Sequence, residues 1–438
     1  MTKIVIVGAG SVEFTRNLLA DFLSYPELKD VTVALHDIDE DRLRTARRVA
    51  RWTADHFNAE PEIEASLDRT ELLPGADFVI NTVQVGGYPA TQIDFAIPSE
   101  YGIEYTIADT VGVGGVMRGL RSIPVMLEIA TQMERYCPDA WLLNYTNPMS
   151  MLVWAASKAT SIKVLGLCHS VYWTIHGIAE WLDVPFDEIQ YRTAGINHIA
   201  WILRLERNGE DLYPLLRAKV EAGDIPDDDR VRAELYRRFG FYPTESSEHH
   251  AEYSPYFLGH PELVERLNIP LREYLRRCQV NLGEFDDTKR RLDAGEALEI
   301  EPTSEYAAEI IHCLLTGEKT EIVGNVMNEG RLVPNLQPES CVEVPCLVNG
   351  LGVHPVIAKA LPIQCAALIH PLIDQQGLTV EAVLQHDREK VYQAMALDPV
   401  LAGRLTLDQI WEMTDRLLAA QTRWLPDWLQ SKQPTGVA

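Results

Sequence analysis

Two short segments of the chain carry side chains that could bind a divalent metal. Cys168 lies in GLCHSV and His198 lies in AGINHIAW, each at the end of an apolar run. A thiolate and an imidazole are both common ligands of transition metals. Their wide spacing fits no compact zinc motif, however, and most cysteines and histidines only pack in the core. Spacing alone therefore favours a structural role over a metal site.

A glycine turn near the amino terminus is typical of nucleotide binding. Gly8 and Gly10 follow the apolar run KIVIV and precede a predicted helix, so the backbone there can turn tightly and approach a pyrophosphate. Ser11 and Phe14 belong to the same segment, GAGSVEFT, and complete this part of the predicted site. Glu13 replaces the third glycine of the usual motif. The alternative is an ordinary strand-to-helix turn.

Two polar residues at later strand ends extend the predicted nucleotide site. Asp37 ends the second predicted strand, where its carboxylate could accept hydrogen bonds from ribose hydroxyls and repel a 2′-phosphate. This favours NAD over NADP, and a helix cap is the alternative role. Asn81 ends the next strand, where it would face the cofactor ribose or cap a loop.

Two further segments could contact a polyol. The segment 109–124, DTVGVGGVMRGLRSIP, is predicted as a flexible glycine-rich loop that carries Arg118 and Arg121 and precedes a helix starting near Ile123. The alternative is a simple connection whose arginines pair with surface acids. Asn147, in NYTNPMSM, could present both a donor and an acceptor to a sugar, or cap the next helix.

The elements that must position these residues are predicted by periodicity. Short apolar runs such as KIVIV, VTVAL and ADFVIN alternate with amphipathic stretches in the first part of the chain. This pattern predicts βαβ units and a parallel sheet covered on both faces. The active site is then expected at the carboxyl ends of the strands.

The pattern changes after about residue 195. IAWILRLERNG predicts an antiparallel strand and turn, and helices are expected around 227–240, 261–280 and 355–375. The acidic run GDIPDDDR is interpreted as a solvated loop. We therefore predict an α/β fold, a Rossmann-like doubly wound parallel sheet with a second α+β domain. The NAD-binding domain would span 1–195, and a substrate-binding and oligomerisation domain would span 196–438.

Composition argues against several kinds of partner. The 438 residues include 64 acidic and 39 basic side chains, which gives a formal net charge of −25 and disfavours nucleic acid and anionic membranes. Seven cysteines, an odd number, predict no disulfide framework, so we expect a cytoplasmic protein. The first strand begins so near Met1 that no signal peptide is expected, and no apolar run is long enough to span a bilayer.

Taken together, several segments resemble glycoside hydrolase family four, the NAD- and manganese-dependent glycosidases, which are an exception to the usual two-carboxylate scheme. The resemblance covers nearly the whole chain and is closest to the α-galactosidases of the family. The segments that carry it are GAGSVEFT, DTVGVGGVMRGL, NYTNPMSM, GLCHSV, AGINHIAW and RRFGFYPTESSEHHAEYSPYF.

The resemblance implies a chemistry and three of its residues. Cys168 and His198 would bind Mn²⁺, and Asn147 would contact the sugar. Oxidation at carbon 3 by NAD would make the proton at carbon 2 acidic, and a base would remove it as the glycosidic oxygen leaves. Water addition and return of the hydride would complete hydrolysis, so NAD is needed but not consumed.

The resemblance also suggests the acid and the base. His169 matches the position proposed to protonate the leaving oxygen, where several relatives carry Asp, and a histidine suits proton transfer near neutral pH. Tyr253 is the first candidate for the carbon-2 base, with Asp109 as a neighbour that could raise its basicity; a packing residue is the alternative role for Tyr253. The other candidates in that segment are Glu245, Glu248 and His249.

We therefore expect an enzyme that hydrolyses small α-galactosides such as melibiose, as a homodimer or homotetramer. An α-glucosidase, an α-glucuronidase and an α-galacturonidase are the alternatives within the family. An NAD-dependent 2-hydroxy acid dehydrogenase is the alternative from another class, since it would share the strand, glycine turn and Asn-Pro layout. Such a dehydrogenase would accumulate NADH and need no metal. A non-catalytic NAD-sensing module would bind NAD without turnover.

Overall fold

One sheet runs through the described residues, 1–303 and 305–430, of the computed structural model. The strands are β1 (Lys3–Val7), β2 (Thr32–His36), β3 (Glu62–Ser66), β4 (Phe78–Asn81), β5 (Trp141–Asn144), β6 (Lys163–Leu167), β7 (Ile189–Ile196), β8 (Ile199–Arg207), β9 (Glu210–Asp211), β10 (Thr320–Met327), β11 (Cys341–Asn349) and β12 (Gly352–Pro355). The helices are α1 (Val12–Ser24), α2 (Glu40–His56), α3 (Arg69–Leu72), α4 (Gly87–Glu100), α5 (Gly112–Tyr136), α6 (Met149–Ala159), α7 (Ser170–Leu182), α8 (Tyr213–Ala222), α9 (Arg230–Phe239), α10 (Ser247–Glu252), α11 (Pro261–Arg266), α12 (Glu273–Ala294), α13 (Tyr306–Thr316), α14 (Ile363–Gln385), α15 (Arg388–Ala396), α16 (Leu407–Ala420) and α17 (Asp427–Gln430).

The first six strands are parallel and lie in the order β3-β2-β1-β4-β5-β6. This is the strand order of a doubly wound nucleotide-binding sheet. Residues 4–7 of the central strand β1 are fully buried, because helices cover both faces of the sheet. The α/β, Rossmann-like prediction is confirmed, and Asn81, Asn144 and Cys168 lie at the carboxyl ends of β4, β5 and β6.

The remaining strands extend the same sheet through antiparallel pairs. β10 pairs with β6, and β11, β7, β8 and β9 follow in that order. β7 and β8 form a hairpin in which Ile196 pairs with Ile199, so Asn197 and His198 make the turn. The predicted boundary between residues 195 and 196 therefore lies at the end of β7, and the division into two domains stays a prediction.

The glycine-rich segment 109–124 is helical over most of its length. A flexible loop was predicted, followed by a helix near Ile123, but α5 already begins at Gly112. A Cβ on Gly114 would collide with the carbonyl oxygen of Ala108, so glycine is required here for close packing of the backbone. The loop prediction was wrong because glycine can signal close approach as well as flexibility.

Helices in the second half differ in extent from those predicted. The helix expected around 227–240 is α9, whereas the stretch 261–280 is divided between α11 and α12, with Pro270 in the connection. The helix expected at 355–375 begins only after Pro362, at the start of α14. Proline removes a backbone donor and restricts the residue before it, which explains both shifts.

All seven cysteines are free thiols; six are buried and Cys168 is partly exposed. No helix in the part of the chain that the structure describes combines the length and apolar character needed to cross a membrane.

Buried charges join α5 to the carboxyl-terminal helices. The guanidinium of Arg121 donates to Asp94 Oδ2 at 2.6 Å, to Gln421 Oε1 at 3.0 Å and to the carbonyl of Val85 at 3.1 Å. The side chains of Arg121 and Asp94 are only 1% and 2% exposed. Arg121 therefore does not pair with surface acids, as the alternative interpretation had it, but belongs to a fully buried network that links α4, α5 and the residue after α16.

Removing Arg121 should strongly destabilise the fold. The variant Arg121→Ala leaves the Asp94 carboxylate buried without its cation, and we expect the free energy of unfolding to fall by about 3–5 kcal/mol. Urea unfolding followed by circular dichroism measures this. Arg204→Ala is the control, because Arg204 pairs with Glu206 on the surface and should cost about 1 kcal/mol or less. Equal unfolding midpoints for the two variants would contradict the assignment.

Candidate active site

A cavity of about 790 Å³ opens at the carboxyl-terminal edge of the parallel strands. Its walls come from the segments after β5 and β6, from α7, from the β7–β8 turn and from residues between 226 and 249. Of the predicted site residues, the cavity brings together Asp109, Asn147, Cys168, His169 and His198. Apart from the adjacent Cys168 and His169, these residues are far apart in sequence, and the fold brings them to one cavity.

Cys168 and His198 are in direct contact. Cys168 follows the last residue of β6, and His198 occupies the β7–β8 turn with a φ of 68°. Cys168 Sγ lies 3.4 Å from His198 Nε2, and Glu245 Oε2 lies 3.9 Å from the same nitrogen. One ligand atom from each of the three residues lies within 4.8 Å of the others. A thiolate, an imidazole and a carboxylate so arranged fit a divalent transition metal.

The other ring nitrogen of His198 is fixed from behind. Nδ1 lies 3.0 Å from Thr110 Oγ1 and 3.2 Å from the Tyr253 hydroxyl, and the Thr110 hydroxyl donates to Asp109 Oδ1 at 2.7 Å. Such contacts hold a histidine ligand in one orientation. Tyr253 is buried and lies outside the cavity lining, and burial together with Asp109 raises the pKa of its hydroxyl.

Charge around His198 favours its protonated form. Burial alone would lower the pKa of the imidazole, but Cys168 and Glu245 raise it to about 10. A metal ion that binds this cluster must replace the proton on the imidazole. Cys168 and Glu245, which favour that proton, are the same groups that would attract the metal.

The predicted sugar contact Asn147 is joined to a buried acid. Asn147 Nδ2 donates to Asp109 Oδ2 at 2.9 Å, and Arg118 Nη1 lies 3.7 Å from the same oxygen. Arg118 Nη1 also donates to the hydroxyl of Tyr274 at 2.9 Å. Tyr274 lines the cavity but lies on α12, in a stretch that carries no motif, so sequence inspection did not single it out.

Glu252 holds the segment that leads to Asp109. Its buried carboxylate accepts hydrogen bonds from the backbone N–H groups of Thr106, Ile107 and Ala108 at 2.9 to 3.1 Å. Ala108 has a φ of 52°, which few residues without such support adopt. The segment TESSEHHAEY thus contributes two glutamates to the site. Glu245 belongs to the cluster with Cys168 and His198, and Glu252 holds the backbone of residues 106–108.

His169 lines the same cavity, directly after Cys168. Its Nδ1 lies 3.3 Å from Glu305 Oε2, and its ring packs against Tyr306 with centroids 4.6 Å apart. Burial raises the pKa of the Glu305 carboxyl to about 8. These contacts hold the His169 imidazole in the cavity wall. His169 is the residue for which the sequence predicted the role of general acid.

The glycine turn has the geometry of a pyrophosphate site. Gly8 has a φ of 94°, and a Cβ there would lie 2.9 Å from the backbone of Thr82. Ser11 is exposed and precedes α1, but its side chain makes no capping hydrogen bond. No side chain of this residue therefore occupies the first N–H groups of α1, where a phosphate could bind. Asp37 Oδ2 accepts from the Gly10 N–H at 2.8 Å, which places the carboxylate beside the turn. This cradle fits a dinucleotide.

Two other predicted cofactor residues differ in exposure. Phe14 is partly exposed and packs edge-on against Tyr145, with ring centroids 4.9 Å apart. Asn81 is fully buried; its amide donates to Asn144 Oδ1 at 2.8 Å, and its Oδ1 accepts from the Val83 N–H at 3.4 Å. The side chain of Asn81 therefore joins two strand ends and caps a loop, which is the second of the two roles predicted for it.

The acidic run at 223–230 is only partly solvated. Asp229 is buried and forms an ion pair with Arg232, and Arg232 Nη1 donates to Thr174 Oγ1 at 3.0 Å. Pro226, Asp228 and Asp229 line the cavity. The prediction of a solvated loop therefore missed a wall of the site, which nothing in a run of like charges reveals.

A buried polar cluster supports the β7–β8 turn from below. Glu343 on β11 is fully buried, and its Oε1 accepts from the amides of Asn197 and Asn325, each at 3.2 Å. Burial raises the pKa of this carboxyl to about 7. The cluster therefore holds the residue that precedes His198.

Residues 3–184 match the model of the family 4 glycosyl hydrolases, and residues 193–401 match the model of their C-terminal domain. The protein belongs to this family and is a glycoside hydrolase. An α-galactosidase from Bacillus subtilis is 43% identical over 98% of this chain and 100% of its own, and one from Rhizobium meliloti is 33% identical over 97% and 89%. Less similar relatives include an α-galacturonidase from Bacillus subtilis and an α-glucosidase from Erwinia rhapontici, each 30% identical.

The fold is shared with solved structures. The 6-phospho-β-glucosidase from Thermotoga maritima, solved with manganese, NAD⁺ and glucose-6-phosphate, gives a TM-score of 0.81 at 22% identity, over 97% of this chain and 99% of that chain.

The Glu343 carboxyl should make stability depend on pH. A carboxyl with an ordinary pKa of about 4.3 when unfolded and about 7 when folded stabilises the fold below the lower value and loses that contribution as pH rises through the upper one. We expect the Tm of the wild type to fall between pH 5 and pH 8 more steeply than that of Glu343→Gln, measured by scanning fluorimetry. Parallel curves for the two proteins would contradict this.

Proposed function

We propose that this protein is an α-galactosidase that hydrolyses small α-galactosides of the melibiose type and requires NAD and Mn²⁺. The observation that carries the proposal is the contact of Cys168 and His198 at 3.4 Å in the cavity of a family 4 glycosyl hydrolase. The relative that is 43% identical over nearly the full length is an α-galactosidase, which supports the choice of sugar.

The two cofactors fit two groups of residues, one after β1 and β2 and the other around Cys168 after β6. Gly8, Gly10 and Asp37 form the cradle for NAD, and Cys168, His198 and Glu245 form the cluster for the metal. A related structure solved with both cofactors supports this. When bound, NAD supplies a hydride acceptor and the metal supplies a Lewis acid.

The chain's own residues would orient the sugar and move its protons. Asn147, held by Asp109, presents its amide to the sugar hydroxyls. His169 donates a proton to the leaving oxygen, and its contact with Glu305 orients the ring. Partly enclosed by the cavity walls, these groups act with less competition from water.

The positions of two tyrosines support a choice of base. We predicted Tyr253 from the sequence, but its hydroxyl lies against the rear nitrogen of His198. Tyr274 lines the cavity and accepts from the guanidinium of Arg118. Burial raises the pKa of its hydroxyl, and the contact with Arg118 opposes this rise because it stabilises a tyrosinate. We therefore favour Tyr274 as the carbon-2 base and Tyr253 as a positioning residue for His198.

The charges of the cavity support a neutral sugar over a uronate. A uronate needs a cation that is available near carbon 6. Arg232 is paired with Asp229, and Arg277 contacts Glu248 and Glu273 at 3.3 and 3.0 Å. Both guanidinium groups are thus already engaged by carboxylates, which favours an α-galactoside over an α-galacturonide. No specific feature of the site favours a 2-hydroxy acid dehydrogenase.

We also infer a cytoplasmic enzyme that forms homodimers or homotetramers, with a cofactor half at 1–195 and a substrate half at 196–438. Free thiols throughout the chain support the reducing compartment. Gel filtration with light scattering tests the assembly.

Release of nitrophenol tests the proposed activity. Chelator-stripped, reduced protein is assayed with nitrophenyl α-galactoside and α-glucoside, with NAD and Mn²⁺ added singly and together. We expect turnover only with both cofactors, and faster turnover of the galactoside. Turnover without either cofactor would contradict the mechanism, and preference for the glucoside would contradict the sugar assignment.

The metal assignment has its own readout within this experiment. Cys168→Ser should lose Mn²⁺ binding, because the thiolate is one of the three proposed donors. Electron paramagnetic resonance of free Mn²⁺ measures this binding. Cys137→Ser is the matched control, since Cys137 is a buried thiol outside the cavity.

Two tyrosine variants separate the base from the positioning residue. Tyr274→Phe should lower kcat by about 10²–10⁴-fold, the usual contribution of a general base, with Mn²⁺ affinity preserved. Tyr253→Phe should weaken Mn²⁺ affinity by about 10–100-fold, because it removes a hydrogen-bond partner of His198. The reverse pattern, with kcat lost and affinity kept in Tyr253→Phe, would return the role of base to Tyr253.

A further inference from the structure

The cavity continues well beyond the Cys168–His198 pair. Helix α7 begins two residues after Cys168 and lines the cavity along one face, with Ser170, Trp173, Thr174, Gly177 and Trp181 at helical spacing. From Ser170 to Trp181 this face covers about 16 Å at about 1.5 Å per residue. The chemistry at the Cys168 end uses only the start of this wall.

Trp173 is the most unusual residue of that wall. Its side chain is 61% exposed, although it lines the cavity, and large aromatic side chains are usually mostly buried. The ring lies edge-on to Tyr172 at 5.2 Å and next to His176 at 5.6 Å, and His176 stacks on Phe186 at 3.7 Å. These rings hold Trp173 in place while much of its surface stays open.

The space next to Trp173 is kept clear. A Cβ added to Gly177, one turn further along α7, would meet no atom within 4 Å. Trp181 donates to the carbonyl of Asp224 at 2.7 Å, and Arg232 donates to Thr174 at 3.0 Å. The helix and the 224–232 segment are therefore fastened together at both places, and the gap over Gly177 belongs to a built wall.

The polar groups around this space suit a neutral ligand rich in hydroxyl groups. Glu180 and Asp228 line the cavity and are exposed, so their carboxylates can accept hydrogen bonds from hydroxyls. The only cation lining this part of the wall in the described residues is Arg232, and it is paired with Asp229. The excess of carboxylates would repel a phosphate or a carboxylate on the ligand.

From this arrangement we propose that the wall formed by Trp173, Gly177, Glu180 and Asp228 binds the leaving-group sugar of the substrate. The ligand is a neutral hexose ring, whose apolar face packs on the indole of Trp173 and whose hydroxyls donate to Glu180 and Asp228. This inference rests on the proposed α-galactosidase activity and specifies which α-galactosides the enzyme prefers: disaccharides and longer neutral saccharides, over substrates whose leaving group lacks a ring.

The test compares two substrates that share the galactosyl group. Melibiose has a glucose leaving group, whereas α-galactosyl fluoride has none that reaches Trp173. We expect Trp173→Ala to lower the ratio of kcat/KM for melibiose to that for the fluoride about tenfold, the effect of one aromatic contact. Trp173→Phe should restore much of the ratio, and Tyr256→Ala is the control, because Tyr256 is an exposed aromatic residue outside the cavity.

A second variant tests the space itself. Gly177→Leu extends a side chain into this space from a position where a Cβ meets no atom within 4 Å, and it should lower the same ratio; circular dichroism checks that the fold is intact. If the wild type cleaves neither substrate with NAD and Mn²⁺, the α-galactosidase proposal fails and this inference fails with it. If the wild type cleaves both and neither variant changes the ratio, the leaving-group site alone is refuted.

Discussion

The orientation of the His198 imidazole is the constraint on which the site depends. The β7–β8 turn brings the ring to the end of β6, where Nε2 meets Cys168 and Glu245. Thr110 and Tyr253 hold Nδ1, so the ring cannot rotate without losing both contacts. A histidine that binds a metal must present its lone pair in one direction, so these two hydroxyls would orient His198 for the proposed role.

The turn that carries His198 is held by groups from three other parts of the chain. Glu343 accepts from Asn197 and is itself held by the amide of Asn325, and Glu252 fixes the backbone that leads to Asp109 and Thr110. Burying such carboxylates is unfavourable unless hydrogen bonds compensate, and most of the donors here are backbone or side-chain amides. The antiparallel strands thus do more than extend the sheet, because they position the turn that carries His198.

Charge is distributed unevenly in a protein whose net charge is −25. Acidic groups surround the cavity, and its guanidinium groups are already paired with carboxylates. A cation is attracted to this environment and a phosphorylated or carboxylated sugar is disfavoured. The same charges that would draw in Mn²⁺ therefore contribute to the choice of a neutral substrate.

The sequence by itself determined the parallel half of the fold, the glycine turn and the positions of Cys168 and Asn147 at strand ends, because these follow from local periodicity and turn chemistry. It also pointed to the correct family through motifs. Only the tertiary structure decided that α5 begins at Gly112, that Asn81 is buried, and that Glu245, Tyr274 and Trp173 share one cavity. These outcomes depend on contacts between residues far apart in the chain. No local pattern encodes them, since the same glycine, asparagine or tyrosine suits several environments.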